Sequence, residues 1–192
     1  MGLGARANGT LAPVAVIPLK GLDHAKSRLG GVLSRVERAE LALRLLGGVV
    51  TACQEAGLPV CVISPDPKAR AEAIRLGADT LDDGGVDLTG AVTLGLERYA
   101  EVEAVVVIAA DLPYVTADDV RELLELARPL AVAAAPDGTT NAAAARPPSA
   151  LRPSYGPGSA ARHGGLQLTM PGLERDLDTP ADLASWRASL CA

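Results

Sequence analysis

The chain predicts an α/β fold of three layers, with a mainly parallel sheet between helices. Apolar runs within 13–20, 59–66, 104–110 and 130–136 are continuous, not alternating, as expected for strands buried on both faces. Segments of helical period separate them. The run AVVVIAAD (104–111) stops on a carboxylate followed at once by Leu-Pro, which puts an acid at a strand tip.

PVAVIPLK (13–20) is the first strand by its β-branched content. Ser34 then stands three residues before Glu37, a capping box opening a helix that runs to about residue 56, with Gly57 as its stop. PVCVISPD (59–66) is the second strand, PKARAEAIRLG a helix closed by Gly77, and ADTLDD a short third strand. LTGAVTLGLERYA reads as a helix, 104–110 as the fourth strand with its helix following, LAVAAAP (130–136) as the fifth strand and TNAAAA as a sixth. Beyond residue 146 the pattern loosens into Pro, Gly and Ser. TPADLASWRASL closes the chain as a helix with Thr179 as N-cap and Pro180 at its first position.

At 192 residues the chain is long enough for one sizeable core, expected over 13–192 behind a flexible N-terminus at 1–12. Apolar residues make up 48% but aromatics only 2%, with no Phe, so the core must be built from Ala, Val, Leu and Ile. A net charge of -5 argues against a nucleic-acid or anionic-membrane binder. Cys53, Cys61 and Cys191 have no metal-ligand spacing and read as free thiols, the first two buried. No stretch is long and apolar enough to span a membrane, and MGLGARANGTLAP has neither an h-region nor a cleavage site, so a cytoplasmic location is expected.

In parallel sheets ligands gather at the carboxyl ends of the strands, which places the loops after residues 19, 64, 110 and 136 along one rim. PLKGLDHAKSRLGG (18–31) brings Lys20, Lys26, Arg28 and three glycines to such a loop. That composition suits a phosphate chain as well as a solvated charged loop. The spacings of a P-loop and of a dinucleotide fingerprint are absent. Asp111 alone reads equally as a turn acid or a metal ligand, but GLERDLDTPADL adds Asp176 and Asp178 at alternate positions of an extended segment, pointing the same way. Together they would hold Mg²⁺ through oxygen ligands. PDGTTNAAA and SYGPGSAARH are turns with amide and hydroxyl donors for an anionic group. His24 and His163 have no Ser or Cys partner at a catalytic spacing, and His163 falls where it would cap or line the second turn.

In this order, AVIPLKGLDHAKSRL, AADLP, DGTTNAAA, YGPGSAARH and DLDTPADL resemble the guanylyltransferases that begin assembly of the deazaflavin coenzyme F-420. That family comprises the 2-phospho-L-lactate enzyme of methanogens and the phosphoenolpyruvate enzyme of bacteria. The resemblance runs from about residue 13 to 187 and implies a nucleotidyltransferase of glycosyltransferase-A-like, Rossmann-like fold. It places the metal acids on Asp111 and Asp176, with Asp178 close by, and the phosphorylated three-carbon acid on Thr140, Gly156 and Ser159. It puts the triphosphate of GTP on Lys20, Lys26 and Arg28, the implied catalytic cations.

The implied reaction is attack by a substrate phosphate oxygen on the α-phosphorus of GTP, with Mg²⁺ as cofactor and pyrophosphate leaving. GTP and phosphoenolpyruvate are the implied partners, with a downstream deazaflavin-transferring enzyme beyond them. The bacterial-looking composition favours phosphoenolpyruvate over 2-phospho-L-lactate and 3-phosphoglycerate. Two departures stand out: Thr139 occupies a usual glycine, and Thr89 follows Leu88 where the family commonly has Asn, which touches base selectivity. The rivals are a nucleotidyltransferase acting on a sugar phosphate or molybdopterin, whose Gly-rich opening loop is absent, and a non-catalytic α/β ligand-binding module.

Overall fold

The computed structural model describes residues 6–7 and 10–190, without the side chains of Arg6, Ala7, Thr10 and His24. Cys191 lies outside the described residues. Seven strands form the main sheet: β1 (Val14–Pro18), β2 (Val60–Ile63), β3 (Asp79–Leu81), β4 (Val105–Ile108), β5 (Leu130–Ala134), β6 (Thr140–Ala145) and β7 (Leu166–Leu168). Their spatial order is β3-β2-β1-β4-β6-β5-β7, and β6 alone runs against the rest. The reason is local. Only residues 135–139 separate β5 from β6, far short of the dozen or more that a parallel crossover needs, so the pair closes as a hairpin.

The helices are α1 (Arg35–Glu55), α2 (Pro67–Arg75), α3 (Leu88–Arg98), α4 (Ala117–Leu126), α5 (Ser159–His163), α6 (Pro171–Glu174) and α7 (Pro180–Ser189). Their starts follow side-chain chemistry. The Ser34 hydroxyl accepts from the Glu37 amide while Glu37 accepts from the Ser34 amide, and Thr116 with Asp119 and Thr179 with Asp182 repeat the device. Gly57, at φ 87°, ends the α1 region in the left-handed conformation that glycine tolerates.

Alternate residues of each central strand face opposite layers. Ala15, Ile17, Val106 and Ile108 pack with Leu46, Val49, Val50 and Leu123 of α1 and α4, while Val14, Val16, Val105 and Val107 pack with Ala91 and Val92 of α3. A third cluster joins Leu29, Leu41, Leu45, Leu177, Leu183 and Trp186, fastening α7 and the segment before it onto α1 and the basic loop. Cys53 and Cys61 are free and fully buried. Burial pushes the Cys53 thiol up to about 12, so neither the position nor the charge state suits redox work.

The molecule departs from the sequence expectations in two segments. The loop after β2 does not join the other rim loops at a common cleft. Ser64 is wholly buried and Asp66 turns inward to accept from the amides of Lys68 and Leu22. The loosely patterned region after 146 contains β7 and α6, which three- and four-residue lengths hide from any periodicity. A separate two-residue antiparallel ladder pairs Arg6–Ala7 with Thr10–Leu11.

Gly95 sets the approach of α3 to the sheet: a Cβ there would stand 2.8 Å from both Ile63 Cδ1 and Val16 Cγ1. Gly95→Ala should therefore cost about 1–3 kcal/mol through overpacking, despite the better helix propensity of Ala. Thermal unfolding of the variant would show it, and an unchanged midpoint would mean that the helix withdraws freely.

Candidate active site

The rim above β1, β4 and the β5–β6 hairpin encloses a cleft of about 820 Å³. Asp111 enters it from the tip of β4. Asp176 and Asp178 enter from the extended segment before α7, and one carboxylate oxygen from each of the three acids lies within 4.8 Å of the others. The convergence has a packing cause. Leu177, between the two acids, is fully buried in the α1–α7 cluster, so alternation turns both neighbours outward. Its amide also donates to the Asp111 carbonyl at 3.1 Å, tying the two acidic segments together through the backbone.

The basic loop brings the counter-charge. Lys26 Nζ donates to Asp111 Oδ2 at 2.5 Å and to Asp178 Oδ1 at 3.0 Å, and Arg28 Nη1 to Asp178 Oδ2 at 3.2 Å. Lys26 takes φ 50°, the sole positive φ outside glycine among the described residues, a conformation costing on the order of 1–2 kcal/mol. Burial opposes its charge, but the two carboxylates outweigh burial and hold its pKa above the ordinary lysine value. Arg38 supports the bend by donating to the Ala25 carbonyl at 3.1 Å.

Lys20 lines the same cleft, is exposed, and has no ion-pair partner among the described residues. Arg175 also lines it, a cation that carried no motif in the sequence. Asp176 is the one acid of the three that Lys26 does not touch. Desolvation first, then repulsion from Asp111 and Asp178, raises its pKa to about 6. An all-carboxylate set with an ammonium already seated on two of its members fits a hard divalent cation.

Across the cleft, the opposite wall is built on the start of β6. Thr140 Oγ1 lies 3.0 Å from both Ser159 Oγ and His163 Nδ1. Gly156 (φ 112°) and Gly158 (φ 70°) shape the turn before α5, and Arg162 holds it by donating to the Ser154 carbonyl and hydroxyl and to the Pro157 carbonyl. Asn141 anchors the acidic segment to the sheet, donating to the carbonyls of Leu173 and Glu174 at 3.0 Å each. Sequence reasoning missed Asn141, Arg162 and Arg175. The only available signals were the Asn at a strand start and the Arg inside the turn motif.

Lys20, Lys26, Arg28, Asp111, Thr140, Gly156, Ser159, Asp176 and Asp178 thus all line one cleft. Thr89 does not line it. Its hydroxyl accepts from the Tyr155 amide at 3.2 Å and ties α3 to the turn.

Residues 14–169 match the family described as guanylyl transferase CofC like. The phosphoenolpyruvate guanylyltransferase of Sphaerobacter thermophilus is 40% identical over 90% of this chain and 91% of its own. The enzyme of the same name from Rubrobacter xylanophilus is 44% identical over 91% and 93%, and that from Mycobacterium marinum 37% identical over 96% and 92%. In fold, a nucleotidyl transferase from Methanothermobacter superposes with a TM-score of 0.67 at 14% identity, covering 94% of this chain and 98% of its own. A CMP:2-keto-3-deoxy-manno-octonic acid synthetase complexed with CTP gives 0.63 at 18%, over the same shares. These neighbours establish the nucleotidyltransferase architecture expected from the sequence.

The raised Asp176 pKa has a signed consequence. Between the unfolded value near 4 and the folded value of about 6, the folded chain binds the extra proton, so this group's contribution to stability falls as pH rises through that window. In chelator-treated protein, Asp176→Asn should flatten that part of the stability-versus-pH curve and raise the melting temperature at pH 7.5. Melting curves from pH 4 to 8 would check it. A variant that melts lower than the parent at pH 7.5 would show that the carboxylate is not under strain.

Proposed function

Because this chain belongs to the CofC-like guanylyl transferase family, we propose that it joins GMP from GTP to phosphoenolpyruvate. The products are enolpyruvyl-diphospho-5'-guanosine and pyrophosphate, at the start of coenzyme F-420 assembly. The observation that carries this reading is the division of one cleft into a cation-and-carboxylate wall and a hydroxyl wall. The first suits a metal-bound triphosphate and the second a small carboxylate.

On this reading Asp111, Asp176 and Asp178 hold Mg²⁺, which would neutralise phosphate charge when bound. Lys26 already stands on Asp111 and Asp178, so its ammonium needs only a small turn to meet a phosphate. Arg28 is exposed and held only by its surface pair with Asp178, and with Lys20 it would hold the β- and γ-phosphates where charge builds on the leaving pyrophosphate. Thr140, Gly156 and Ser159 hold the acceptor's carboxylate and so aim its phosphate at the α-phosphorus.

One acceptor oxygen forms the new bond to that phosphorus, the bond to the bridging oxygen breaks, and the electron pair leaves with pyrophosphate. The acceptor phosphate is ionised at neutral pH, so no protein base is needed. Positioning and charge neutralisation supply the rate. The one described histidine ring stands behind Thr140 and is already fully hydrogen-bonded to protein.

The full chain with GTP, Mg²⁺ and phosphoenolpyruvate should release pyrophosphate and give the adduct by mass. Asp111→Asn should keep the fold and lose turnover on the order of a hundredfold or more, since an amide does not neutralise the cation. Near-normal activity in that variant would remove Asp111 from the metal. Arg28→Ala should raise KM for GTP and lower kcat, whereas unchanged kinetics would leave Arg28 a solvated side chain. Faster turnover of 2-phospho-L-lactate or 3-phosphoglycerate at equal concentration would reassign the acceptor and leave the nucleotide half intact.

A further inference from the structure

Behind the hydroxyl wall, against Thr140, stands a residue that none of the proposed substrate contacts includes. His163 Nε2 receives the Ser154 backbone amide at 3.0 Å. An amide N–H only donates, so Nε2 must be bare and the ring proton must sit on Nδ1. Nδ1 then donates to Thr140 Oγ1, 3.0 Å away, and Thr140 Oγ1 is in turn 3.0 Å from Ser159 Oγ.

The proton count of this hydrogen-bonded row has a direction. Thr140 and Ser159 own two hydroxyl protons, and one is used between them. Because His163 arrives as a donor, it takes a lone pair of Thr140 and no proton. Whichever hydroxyl gives to the other, one proton of the pair is left for the cleft. With the ring proton on Nε2 the count inverts: Thr140 would give its proton to Nδ1, Ser159 would give its own to Thr140, and only lone pairs would face the ligand. Lone pairs repel a carboxylate.

Resting on the proposed acceptor binding, we propose that His163 is a positioning residue. Held as the Nδ1–H tautomer by the Ser154 amide, it makes the Thr140–Ser159 pair a hydrogen-bond donor to the carboxylate of the phosphorylated acid. The surroundings favour this state. The ring meets Tyr155 edge-on at 4.9 Å, and Arg162, the adjacent charge, is fastened to the turn carbonyls. Burial first, then the Arg162 charge, lowers the imidazole pKa and keeps the ring neutral at physiological pH.

Two measurements on the full chain decide it. Nitrogen-15 NMR of histidine-labelled protein, with His24→Gln to assign the second ring, should show His163 protonated on Nδ1 alone at pH 7.5. An Nε2–H ring or an imidazolium would overturn the inference whatever the substrate. His163→Phe should raise KM for phosphoenolpyruvate by about 10- to 100-fold, the worth of a hydrogen bond to a charged group, and leave KM for GTP within about twofold. His163→Asn, which keeps an N–H near the place of Nδ1, should recover most of that loss. An unchanged acid KM in the Phe variant, or equal losses for both substrates, would make the ring merely structural. Parent enzyme that used no phosphorylated acid would instead overturn the acceptor assignment, and the tautomer would be read independently.

Discussion

Three carboxylates held within 4.8 Å of one another cannot all stay ionised without a positive charge among them, and the architecture of the cleft answers that constraint. Lys26 meets two of the acids, at the expense of a left-handed backbone that a lysine does not choose freely. The third, Asp176, is left with its proton affinity raised. Packing, not charge, enforces the arrangement: burial of Leu177 and Leu29 in one cluster drives the acidic segment and the basic loop together. Burying a leucine-sized side chain is worth about 1.5–3 kcal/mol, comparable to the strain at Lys26, so the cluster can sustain an electrostatically uncomfortable site. On the proposed reading, an arriving cation would relieve the carboxylates and an arriving polyanion the lysine and arginine.

The second organising feature is the short β5–β6 connection. By inserting one reversed strand between β4 and β5, it places the beginning of β6 beside the end of β4. Thr140 and Asn141 therefore stand at the same rim as Asp111, though they open a strand instead of closing one. Asn141 then reaches back to the carbonyls before Asp176. The two walls of the cleft are thus one hydrogen-bonded unit, and the spacing between the proposed nucleotide and acceptor positions is set by the sheet. Such fixed spacing suits the proposed two-substrate reaction, in which positioning stands in for a protein base.

The two departures from the family pattern have structural accounts. Thr139 sits where a glycine is usual, but Gly138 (φ 80°) supplies the left-handed turn residue, and Thr139 is held by Asp137 Oδ1 through its amide and hydroxyl. Thr89 accepts from the Tyr155 amide and couples α3 to the turn before α5. Its role is in joining the two halves of the fold.

The sequence by itself determined the layered α/β class, the six strands before residue 146, the capped starts of α1 and α7, and the segments that carry the acids, the cations and the hydroxyls. Those signals are local: apolar runs, a Ser or Thr three residues from an acid, a Gly after a helix, two acids at a period of two. Tertiary structure alone decided the partners. Lys26 and Asp178 are 152 residues apart, and nothing in either segment announces the other. The inward turn of the loop after β2, the edge strand β7, the cleft position of Arg175 and the tautomer of His163 belong to the same class. Each follows from which surfaces meet when the sheet is assembled, and that depends on non-local packing that no short window of sequence contains.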